Sequence, residues 1–499
     1  MAELSAGEPA PAAAPTASDV LDSREAGGRI IRGGAIRLGS YVAIVGLSIM
    51  SAALLTRHLG VARFGEYTTV LSLVGVVSSV TDAGMSTVGA REFAVREGAD
   101  REALMRGLLS LRVALTLVGV LLATAFALAA RYDAALLLGT VLASLGTVAL
   151  VVQHTYTIPL SVALRLGTLA WLELARQLVS VAALVALVLA GAGVLPLLAV
   201  TLAVNLALIA PTAALARRQI SLRMSLRPRG WAELMRLTVS YSVATAVGTI
   251  YVYTAQIITS LVASHHQSGL FAASFRVFIV AGGVPGLLVS GALPLLARAA
   301  RDDRERLAYA LDRIFDASLI VGVAAALGTL AGAGFIIHVI AGPSYAAAAG
   351  VLRIQGLALI ATFVLAGWSF ALLSLKRYTS LLVANGAAFA VSCVLTLVLA
   401  GDDGARGAAL ATVCGESVLA IGLLLGVLRA QPQQRPSPTV IAKVALAAAP
   451  AAAIALLAPI TSLERALAAL AAYALVIVLT RAAPAELLVL IPRRRVTGG

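Results

Sequence analysis

The chain has 499 residues, of which 60% are hydrophobic and 12% are charged. Soluble domains carry roughly twice this charged fraction, so the composition excludes an ordinary soluble enzyme and indicates a polytopic membrane protein. The net charge of +14 does not predict a nucleic-acid partner, because the basic residues lie between apolar runs and form no basic domain. Cys393 and Cys414 both lie in apolar runs, which argues against a disulfide framework or a thiolate metal site.

The first 33 residues are predicted to be a disordered cytoplasmic tail, because they begin with an Ala-, Pro-, Ser- and Glu-rich stretch that has no apolar periodicity. No apolar h-region precedes the first long apolar run, which argues against a cleaved signal peptide. Four arginines then lead into the first helix and favour a cytoplasmic N-terminus: Arg24, Arg29, Arg32 and Arg37.

Runs of roughly 20 apolar residues predict an all-α polytopic membrane protein with fourteen transmembrane helices. The predicted spans are 38–56, 67–90, 113–130, 134–158, 166–190, 194–216, 237–263, 268–297, 314–340, 354–375, 378–400, 407–428, 444–460 and 466–480.

The distribution of basic residues predicts the orientation of these helices. If the first helix runs outward, most Lys and Arg residues fall on the cytoplasmic side of the membrane. Both termini are therefore expected inside the cell. Only five arginines fall on the outer side: Arg57, Arg63, Arg131, Arg406 and Arg465.

The chain also repeats itself after the longest internal loop. Residues 64–67 (FGEY) correspond to residues 268–271 (SGLF), and each segment starts a long helix that ends at a basic residue. This repeat predicts two six-helix lobes related by a pseudo-two-fold axis, with the site at the lobe interface, plus two extra C-terminal helices. The expected divisions are a tail (1–33), an N-lobe (34–216), a cytoplasmic loop (217–236), a C-lobe (237–430), helices 13 and 14 (431–483) and a basic cytoplasmic tail (484–499).

A few charged residues fall within or beside the predicted spans, where each needs a partner or a watery cavity. Glu173 and Arg176 are three residues apart, so we expect them to pair on one helix face. Asp82 is interpreted either as a salt-bridge partner of Arg91 or another internal Arg, or as a gating or ion-coupling residue. Glu416 has no partner within one turn, which allows a cation site or an interhelical hydrogen bond.

Arg276 is the cation most favoured for substrate binding. It lies eight residues into the predicted eighth helix, has no acidic neighbour on that helix, and matches Ser72 in the repeat. A guanidinium can bind an anionic group through parallel hydrogen bonds. The alternative is an interhelical salt bridge, with Glu173 or Glu416 as the partner. Arg37, Arg353 and Arg176 complete the predicted substrate-binding set, and Asp82, Arg91, Glu173 and Glu416 form the gating or coupling set.

Two motifs in the first two spans resemble a known family. The first helix leads into a turn of the form LL.R.LG...FG.Y, and the second helix ends in D.G......RE. Together with the short-looped helices, these motifs resemble the oligosaccharide flippases of polysaccharide biosynthesis in the multidrug/oligosaccharidyl-lipid/polysaccharide (MOP) exporter superfamily. The residues that carry the resemblance are Leu54, Leu55, Arg57, Leu59, Gly60, Phe64, Gly65, Tyr67, Asp82, Gly84, Arg91 and Glu92.

The resemblance implies a flippase that moves a polyprenyl-diphosphate-linked oligosaccharide across the cytoplasmic membrane by alternating access. Its expected partners are this substrate, membrane lipids, and glycosyltransferases or a polymerase of the same pathway. Alternatives are a lipid-linked peptidoglycan precursor flippase and a cation-coupled multidrug exporter. A membrane-embedded glycan polymerase or glycosyltransferase would carry a large extramembrane loop, whereas the predicted outer loops are short.

No enzyme activity and no cofactor are predicted for this chain. It has no GxxxxGK[ST] loop, no HExxH helix and no nucleophile elbow. His58, His265 and His266 lie in predicted outer turns but lack the defined further ligands that a metal site requires.

Overall fold

The computed structural model describes residues 24–82, 84–163, 165–216, 228–290, 304–432, 434 and 436–482. In this part of the chain there are fourteen α-helices, one short 3₁₀ turn at Pro343–Tyr345 and no strand. The helices are α1 (Arg24–Asp82), α2 (Met85–Val95), α3 (Gly98–Ala129), α4 (Ala134–Val162), α5 (Leu166–Leu189), α6 (Val194–Ala216), α7 (Pro228–Val262), α8 (His265–Ser290), α9 (Arg304–Ala341), α10 (Ala348–Ser374), α11 (Tyr378–Asp403), α12 (Ala405–Ala430), α13 (Pro438–Leu457) and α14 (Ser462–Leu479).

Helix α1 contains the first predicted span and most of the second, and its helical backbone is interrupted between them at Gly60. Gly60 has a φ of 69° and a ψ of 177°, which breaks the helical backbone and divides α1 into two helices joined at a kink. Only glycine adopts this φ readily, so the "LG" of the motif is a geometric requirement. Gly84 has a φ of 78° and causes a second break, so the second span ends as the short helix α2.

Twelve of the described helices are long and apolar enough to cross a bilayer. One of these twelve, residues 42–95, contains both of the first two predicted spans, which are joined at Gly60. Helix α7 is not among the twelve, because its described apolar part is shorter than the length that a span requires. The fourteen predicted spans therefore each have a counterpart. The protein is an all-α, multi-pass membrane protein, as predicted.

The two lobes have the same packing plan. In the N-lobe, which comprises α1–α6, α3 packs on α4 and α4 packs on α6. In the C-lobe, which comprises α7–α12, α9 packs on α10 and α10 packs on α12 in the same way. This correspondence is the structural form of the repeat in the sequence.

The lobes touch most closely at a pair of glycines, which we name the glycine crossing (Gly65 and Gly269). A Cβ on Gly65 would lie 2.6 Å from the carbonyl oxygen of His265 and 2.7 Å from the amide nitrogen of Gly269. A Cβ on Gly269 would collide with the carbonyl oxygen of Val61. Each glycine thus meets the residue four positions before the other, as a two-fold axis requires. The register predicted from FGEY and SGLF is confirmed.

Further contacts join the lobes at the end of α1's first half, on the side opposite the N-terminus. Thr56 donates a hydrogen bond to the carbonyl of Ile340 at 3.2 Å, and Arg57 donates to the carbonyl of Val339 at 2.9 Å. The Tyr345 ring lies edge-on to Phe64, with 6.2 Å between centroids. This side of the molecule, which is the predicted outer side, is closed between the lobes.

The two extra helices pack on the C-lobe through α9. Small residues of α13 and α14, among them Ala447, Ala451 and Ala469, are buried against Ile320 and Val323 of α9. The Tyr473 hydroxyl donates to the carbonyl of Ile320 at 3.0 Å, which satisfies a polar group in an apolar interface.

Several helices are longer than the hydropathy predicted. Helix α3 begins at Gly98 instead of residue 113, α7 begins at Pro228 inside the predicted loop, and α1 begins at Arg24 inside the predicted tail. The reason is that hydropathy marks the part of a helix that lies in hydrocarbon, whereas helix propagation adds polar residues beyond it at little cost. The predicted tail 484–499 and residues 291–297 of the eighth span lie outside the described residues.

Candidate transport site

The N-lobe contains a cavity of about 420 Å³ between α1, α4, α5 and α6. It lies near the C-terminal ends of α4 and α6 and the N-terminal end of α5, so it occupies the half of the lobe nearer the N-terminal side of the membrane. Its lining is polar as well as apolar: Ser40, Ile44, Gln153, His154, Thr157, Ser161, Leu169, Ala170, Leu172, Glu173, Arg176, Leu208 and Thr212.

An ion pair stands in this cavity. Arg176 and Glu173 form the pairing that their spacing predicted, and the Arg176 Nε donates to Glu173 Oε2 at 3.2 Å. The His154 ring lies opposite on α4 and interacts electrostatically with both of them. The cavity therefore contains the Arg176 guanidinium, the ionisable His154 ring and the Glu173 carboxylate. An anion could bind here by replacing Glu173 as the partner of Arg176.

A second ion pair fixes the break in the second span. The Arg112 guanidinium of α3 is fully buried and bonds to Asp82 and, at 3.2 Å, to the Thr155 hydroxyl. Asp82 keeps 42% of its side-chain exposure and also accepts from the Ser86 hydroxyl at 2.6 Å. Of the two alternatives predicted for a salt bridge of Asp82, Arg91 or another internal arginine, the structure has the second, because Arg112 reaches Asp82 from the neighbouring helix α3.

Arg276 lies at the lobe interface without an ion pair. Its guanidinium donates to the Ser48 hydroxyl of α1 at 2.6 Å and interacts with Tyr67 and Tyr253, and the side chain is half-buried. Among the described residues no carboxylate lies within 4 Å of it, so the predicted salt bridge with Glu173 or Glu416 is absent. Those two carboxylates are engaged elsewhere, with Arg176 and Thr362.

One face of α1 connects Arg276 to the cavity. Ser40 and Ile44 line the cavity, and Ser48, which holds Arg276, is the next residue at a four-residue spacing. Residues with this spacing lie on one side of a helix, and eight residues span about 12 Å. Arg276 therefore stands above the cavity, toward the predicted outer side.

Glu416 is the buried carboxyl group of the C-lobe. It is 7% exposed and accepts a hydrogen bond from the Thr362 hydroxyl at 2.7 Å. A cavity of about 20 Å³ beside it is also lined by Tyr251, Ser392 and Thr412. Such a volume holds about one water molecule or small ion.

The other predicted site residues are not brought together. Arg353 is exposed on α10 and Arg91 is exposed on α2, while the side chain of Arg37 lies outside the described residues. For all eight predicted site residues, the assigned roles stay predictions.

Two residues near the site were missed by sequence reasoning. Arg112 was placed in a loop because the predicted third span started at residue 113, and His154 was not considered. The helical spacing of Leu104, Leu108 and Leu111, which are buried, could have predicted that α3 begins well before Arg112 and therefore contains it. Nothing in the sequence marked His154.

An apolar groove of about 410 Å³ runs between α1, α3 and α7. Leu73, Val77 and Leu122 line it, and Thr81 and Met85 lie at one end, on either side of the break that contains Asp82. The groove thus ends beside a charged group.

Solved structures with a similar fold include a flippase and multidrug transporters. A lipid II flippase MurJ in an inward closed conformation aligns with a TM-score of 0.76 and 13% identity, covering 91% of this chain and 100% of that chain. An inward-facing MATE family multidrug resistance transporter of the MOP superfamily gives 0.57 and 15%, covering 79% and 97%. A MOP superfamily transporter from Pyrococcus furiosus gives 0.51 and 17%, covering 80% and 95%. No curated protein matches the sequence.

The sequence itself matches one protein family. The profile of the polysaccharide biosynthesis proteins covers residues 54–350, which is more than half of the chain and includes both motifs, Arg276 and the cavity-lining residues of α4, α5 and α6. With this match and the shared helical fold, the chain belongs to the polysaccharide biosynthesis protein family and has the fold of the MOP superfamily transporters.

Proposed function

We propose that this protein is a flippase that translocates a polyprenyl-diphosphate-linked oligosaccharide across the cytoplasmic membrane. The observation that carries the proposal is the cation Arg276, which is held at the lobe interface by a hydroxyl group and not by a carboxylate. A half-buried guanidinium without a counter-ion is costly in a membrane protein, and an anionic substrate would offset that cost.

A diphosphate matches the geometry of this group. The Arg276 guanidinium can donate two parallel hydrogen bonds to phosphate oxygens after exchanging its bond to Ser48. The cavity below Arg276 contains Gln153 and His154, which can form hydrogen bonds with a sugar. It also contains Arg176, which becomes a second cation for the substrate when it separates from Glu173.

The apolar groove would accept part of the polyprenyl chain. Its lining is aliphatic, and it opens between α1, α3 and α7 at the seam of the two lobes. Its end lies beside the Asp82–Arg112 pair, so a chain in the groove would leave its polar end close to charged groups. Hydrocarbon in an aliphatic groove is stabilised by contact area alone, which suits carriers of differing length.

The conformation supports alternating access from the cytoplasmic side. The lobes are joined on the predicted outer side by Thr56, Arg57 and Tyr345, whereas the cavity occupies the opposite half. We place both termini in the cytoplasm. In a variant lacking Cys393 and Cys414, an impermeant thiol reagent should label Ala192→Cys but not Ala103→Cys from outside the cell. The opposite result would reverse the orientation.

We assign ion coupling to Glu416. Its carboxyl group stands beside a small, mostly apolar cavity of the C-lobe to which Tyr251, Ser392 and Thr412 contribute hydroxyl groups, away from the two N-lobe ion pairs. A carboxyl group that is nearly buried can exchange a proton or a small cation without a change in its packing. Asp82 and Glu173 are already neutralised by arginines, so we assign them to gating.

The central experiment measures flipping of a fluorescent polyprenyl-diphosphate oligosaccharide in proteoliposomes, using an impermeant quencher. Arg276→Ala should reduce the flipping rate at least about tenfold, while Arg276→Lys keeps part of it because the charge remains without the bidentate geometry. Arg465→Ala on α14, whose side chain donates to the carbonyl of Ile460, is the matched control and should leave the rate unchanged.

Flipping at the wild-type rate by Arg276→Ala, at equal protein abundance, would contradict the proposal. The same liposomes should be loaded with lipid II, because the aligned MurJ structure is that of a lipid II flippase. Transport of lipid II in preference to the oligosaccharide would assign the protein to peptidoglycan precursor export instead.

A further inference from the structure

A polar cavity lies in the C-lobe on the predicted outer side, separate from the cavity beside Glu416. Its volume is about 550 Å³, and it is bounded by the α7–α8 turn, the start of α10 and the α11–α12 turn. Small-molecule pockets have volumes of roughly 300–1,000 Å³, so the space suits a ligand of that size. The polar side chains in its lining are Ser264, Gln267, Asp402, Asp403 and Arg406.

The fold does not require the two carboxylates of this cavity. The sequence LVLAG occurs at residues 187–191, where α5 ends, and again at residues 397–401, near the end of α11. The first copy continues with Ala192 and Gly193, whereas the second continues with Asp402 and Asp403. Because the N-lobe makes the same turn with small residues, formation of the turn does not explain the carboxylates.

The charged groups of the cavity have no partners of their own. Among the described residues, Asp402, Asp403 and Arg406 form no ion pair and no side-chain hydrogen bond, although all three line one cavity. The Arg406 guanidinium lies over the backbone of Gly350, where a Cβ would be 3.4 Å from Nη2. A ligand can therefore bind these groups without breaking an existing pair.

Gln267 adds a positioned amide group. Its Oε1 accepts a hydrogen bond from the backbone N–H of Ala405 at 3.1 Å, which fixes the side chain at the start of α12. The side chain also packs against Gly404, where a Cβ would lie 2.8 Å from Gln267 Oε1. The Nε2 group of this glutamine is left as a hydrogen-bond donor for a ligand.

These groups suit a ligand that is rich in hydroxyl groups. A hydroxyl group can donate to a carboxylate oxygen and accept from a guanidinium or an amide N–H. Val262, Leu270 and Val351 contribute an apolar wall that can contact the C–H groups of a sugar ring. Two carboxylates and one guanidinium leave a net negative charge in the lining, which repels phosphate and uronate groups.

The cavity also borders the lobe interface. Leu270, which lines it, is the residue after Gly269 of the glycine crossing. A glycan that leaves the interface on the outer side would therefore pass beside this cavity.

We propose that this cavity binds neutral sugar residues of the exported glycan on the outer side of the membrane. Asp402 and Asp403 accept hydrogen bonds from the sugar hydroxyl groups, and Arg406 and Gln267 donate to them. The identity of the ligand rests on the proposed function, because it takes the transported substrate to be an oligosaccharide.

The test measures whether a bound sugar protects a cysteine in the cavity from labelling. The full-length protein, with Cys393 and Cys414 replaced by alanine, carries Ala347→Cys, which lies in the lining. It is reconstituted into nanodiscs, because maltoside detergents would themselves supply a sugar. The rate of labelling by a polar maleimide is measured with maltose, lactose or chitobiose, and with glucuronate as the anionic probe.

We expect at least one neutral disaccharide to slow the labelling saturably, by about threefold or more, because a ligand in the pocket covers the thiol. Glucuronate should have a much smaller effect. Ala192→Cys, in the matching turn of the N-lobe, is the control and should be labelled at the same rate with and without sugar.

Substitutions in the lining assign the protection to this cavity. The double variant Asp402→Ala/Asp403→Ala and the single variant Arg406→Ala should each abolish it, and their side chains are exposed, so folding should tolerate the changes. Arg465→Ala, at the predicted outer end of α14, should keep it.

Several results would overturn the proposal. One is the absence of protection by any of the neutral disaccharides, and another is protection that survives in both lining variants. Equal protection by glucuronate would overturn the assignment to neutral sugars. Protection by CaCl₂ that EDTA removes, with none from the sugars, would show that the carboxylates hold a cation instead.

This experiment fails independently of the flipping experiment. It measures binding and involves no transport, so wild-type flipping by Arg276→Ala would contradict the proposed function and leave the protection result standing. Conversely, loss of flipping in Arg276→Ala without any sugar protection at Ala347→Cys would support the flippase and overturn the outer sugar site.

Discussion

The two lobes have one packing plan but different interiors. The N-lobe buries or half-buries two arginine–carboxylate pairs around its cavity, at Asp82–Arg112 and Glu173–Arg176. Among its described residues the C-lobe has the ion pair Arg313–Asp316 near the start of α9, and its interior is joined by hydrogen bonds such as Thr362 to Glu416 and Ser274 to Gln355. The two halves of the repeat therefore differ around their cavities: an ion pair stands in the N-lobe cavity, whereas the small C-lobe cavity has the Glu416 carboxyl group.

This difference assigns separate tasks to the lobes. A cavity with ion pairs can exchange partners with a charged headgroup, because an arginine that leaves a carboxylate gains a phosphate. The described interior of the C-lobe is held mainly by apolar contacts and hydrogen bonds, so we expect it to move as a rigid body. Arg276 brings charge from the C-lobe to the interface, and its counterpart Ser72 bonds within its own helix, to the carbonyl of Thr68.

The largest effect should come from removing the symmetry contact. Gly269→Ala places a methyl group against the Val61 carbonyl, and we expect a loss of at least about 3 kcal/mol in the free energy of unfolding, because backbone must move. Reversible unfolding in mixed micelles measures this loss. Gly286→Ala on the same helix has open space around its Cβ and is the control. If Gly269→Ala and Gly286→Ala have the same free energy of unfolding, the close backbone contact at the glycine crossing would be refuted.

The next effect concerns the N-lobe charges. Asp82→Ala leaves the fully buried Arg112 without its counter-ion and should cost about 2 kcal/mol or more, less than a fully buried pair would because Asp82 is partly exposed. The control pair is Glu102 and Arg106, which is 3.5 Å apart and exposed, so Glu102→Ala should cost under about 1 kcal/mol. The double variant Asp82→Ala/Arg112→Leu should recover part of this lost stability, because it no longer buries an unpaired guanidinium. If it recovers none, the loss in Asp82→Ala is not caused by breaking the ion pair.

A smaller effect tests the attachment of the extra helices. Tyr473→Phe removes one hydrogen bond, to the carbonyl of Ile320, and should cost about 1 kcal/mol in the same unfolding assay. The flipping rate should stay at the wild-type value. A changed rate would show that α13 and α14 take part in transport.

The smallest stability change belongs to the C-lobe carboxyl group. Glu416→Gln keeps an oxygen that can accept from Thr362, so the free energy of unfolding should change by less than about 1 kcal/mol. Flipping driven by an ion gradient should nevertheless fall to the rate without a gradient. A variant that still responds to the gradient would remove Glu416 from the coupling mechanism.

The fold could be predicted from the sequence because hydrophobic length and turn residues are local. Each predicted span has a helix, and the register of the repeat followed from Gly65 and Gly269 alone. The site could be predicted only in part. Glu173 and Arg176 pair along one helix, so their spacing was enough, whereas Arg112 reaches Asp82 across thirty residues and two helix breaks. Contacts between helices depend on packing, which periodicity does not encode.

The glycine crossing also determines how far the lobes can move. It lies near the start of α8, and the helix continues for about 30 Å beyond it, to Ser290. At this contact the two helix backbones touch directly, with the Val61 side chain beside Gly269, so we expect the lobes to pivot here and α8 to rotate with the C-lobe. A rotation of about 10° at this point would displace the far end by about 5 Å, by the same helical rise. Even a methyl group added at Gly65 or Gly269 would push the two lobes apart at this contact, and we expect it to prevent the rotation.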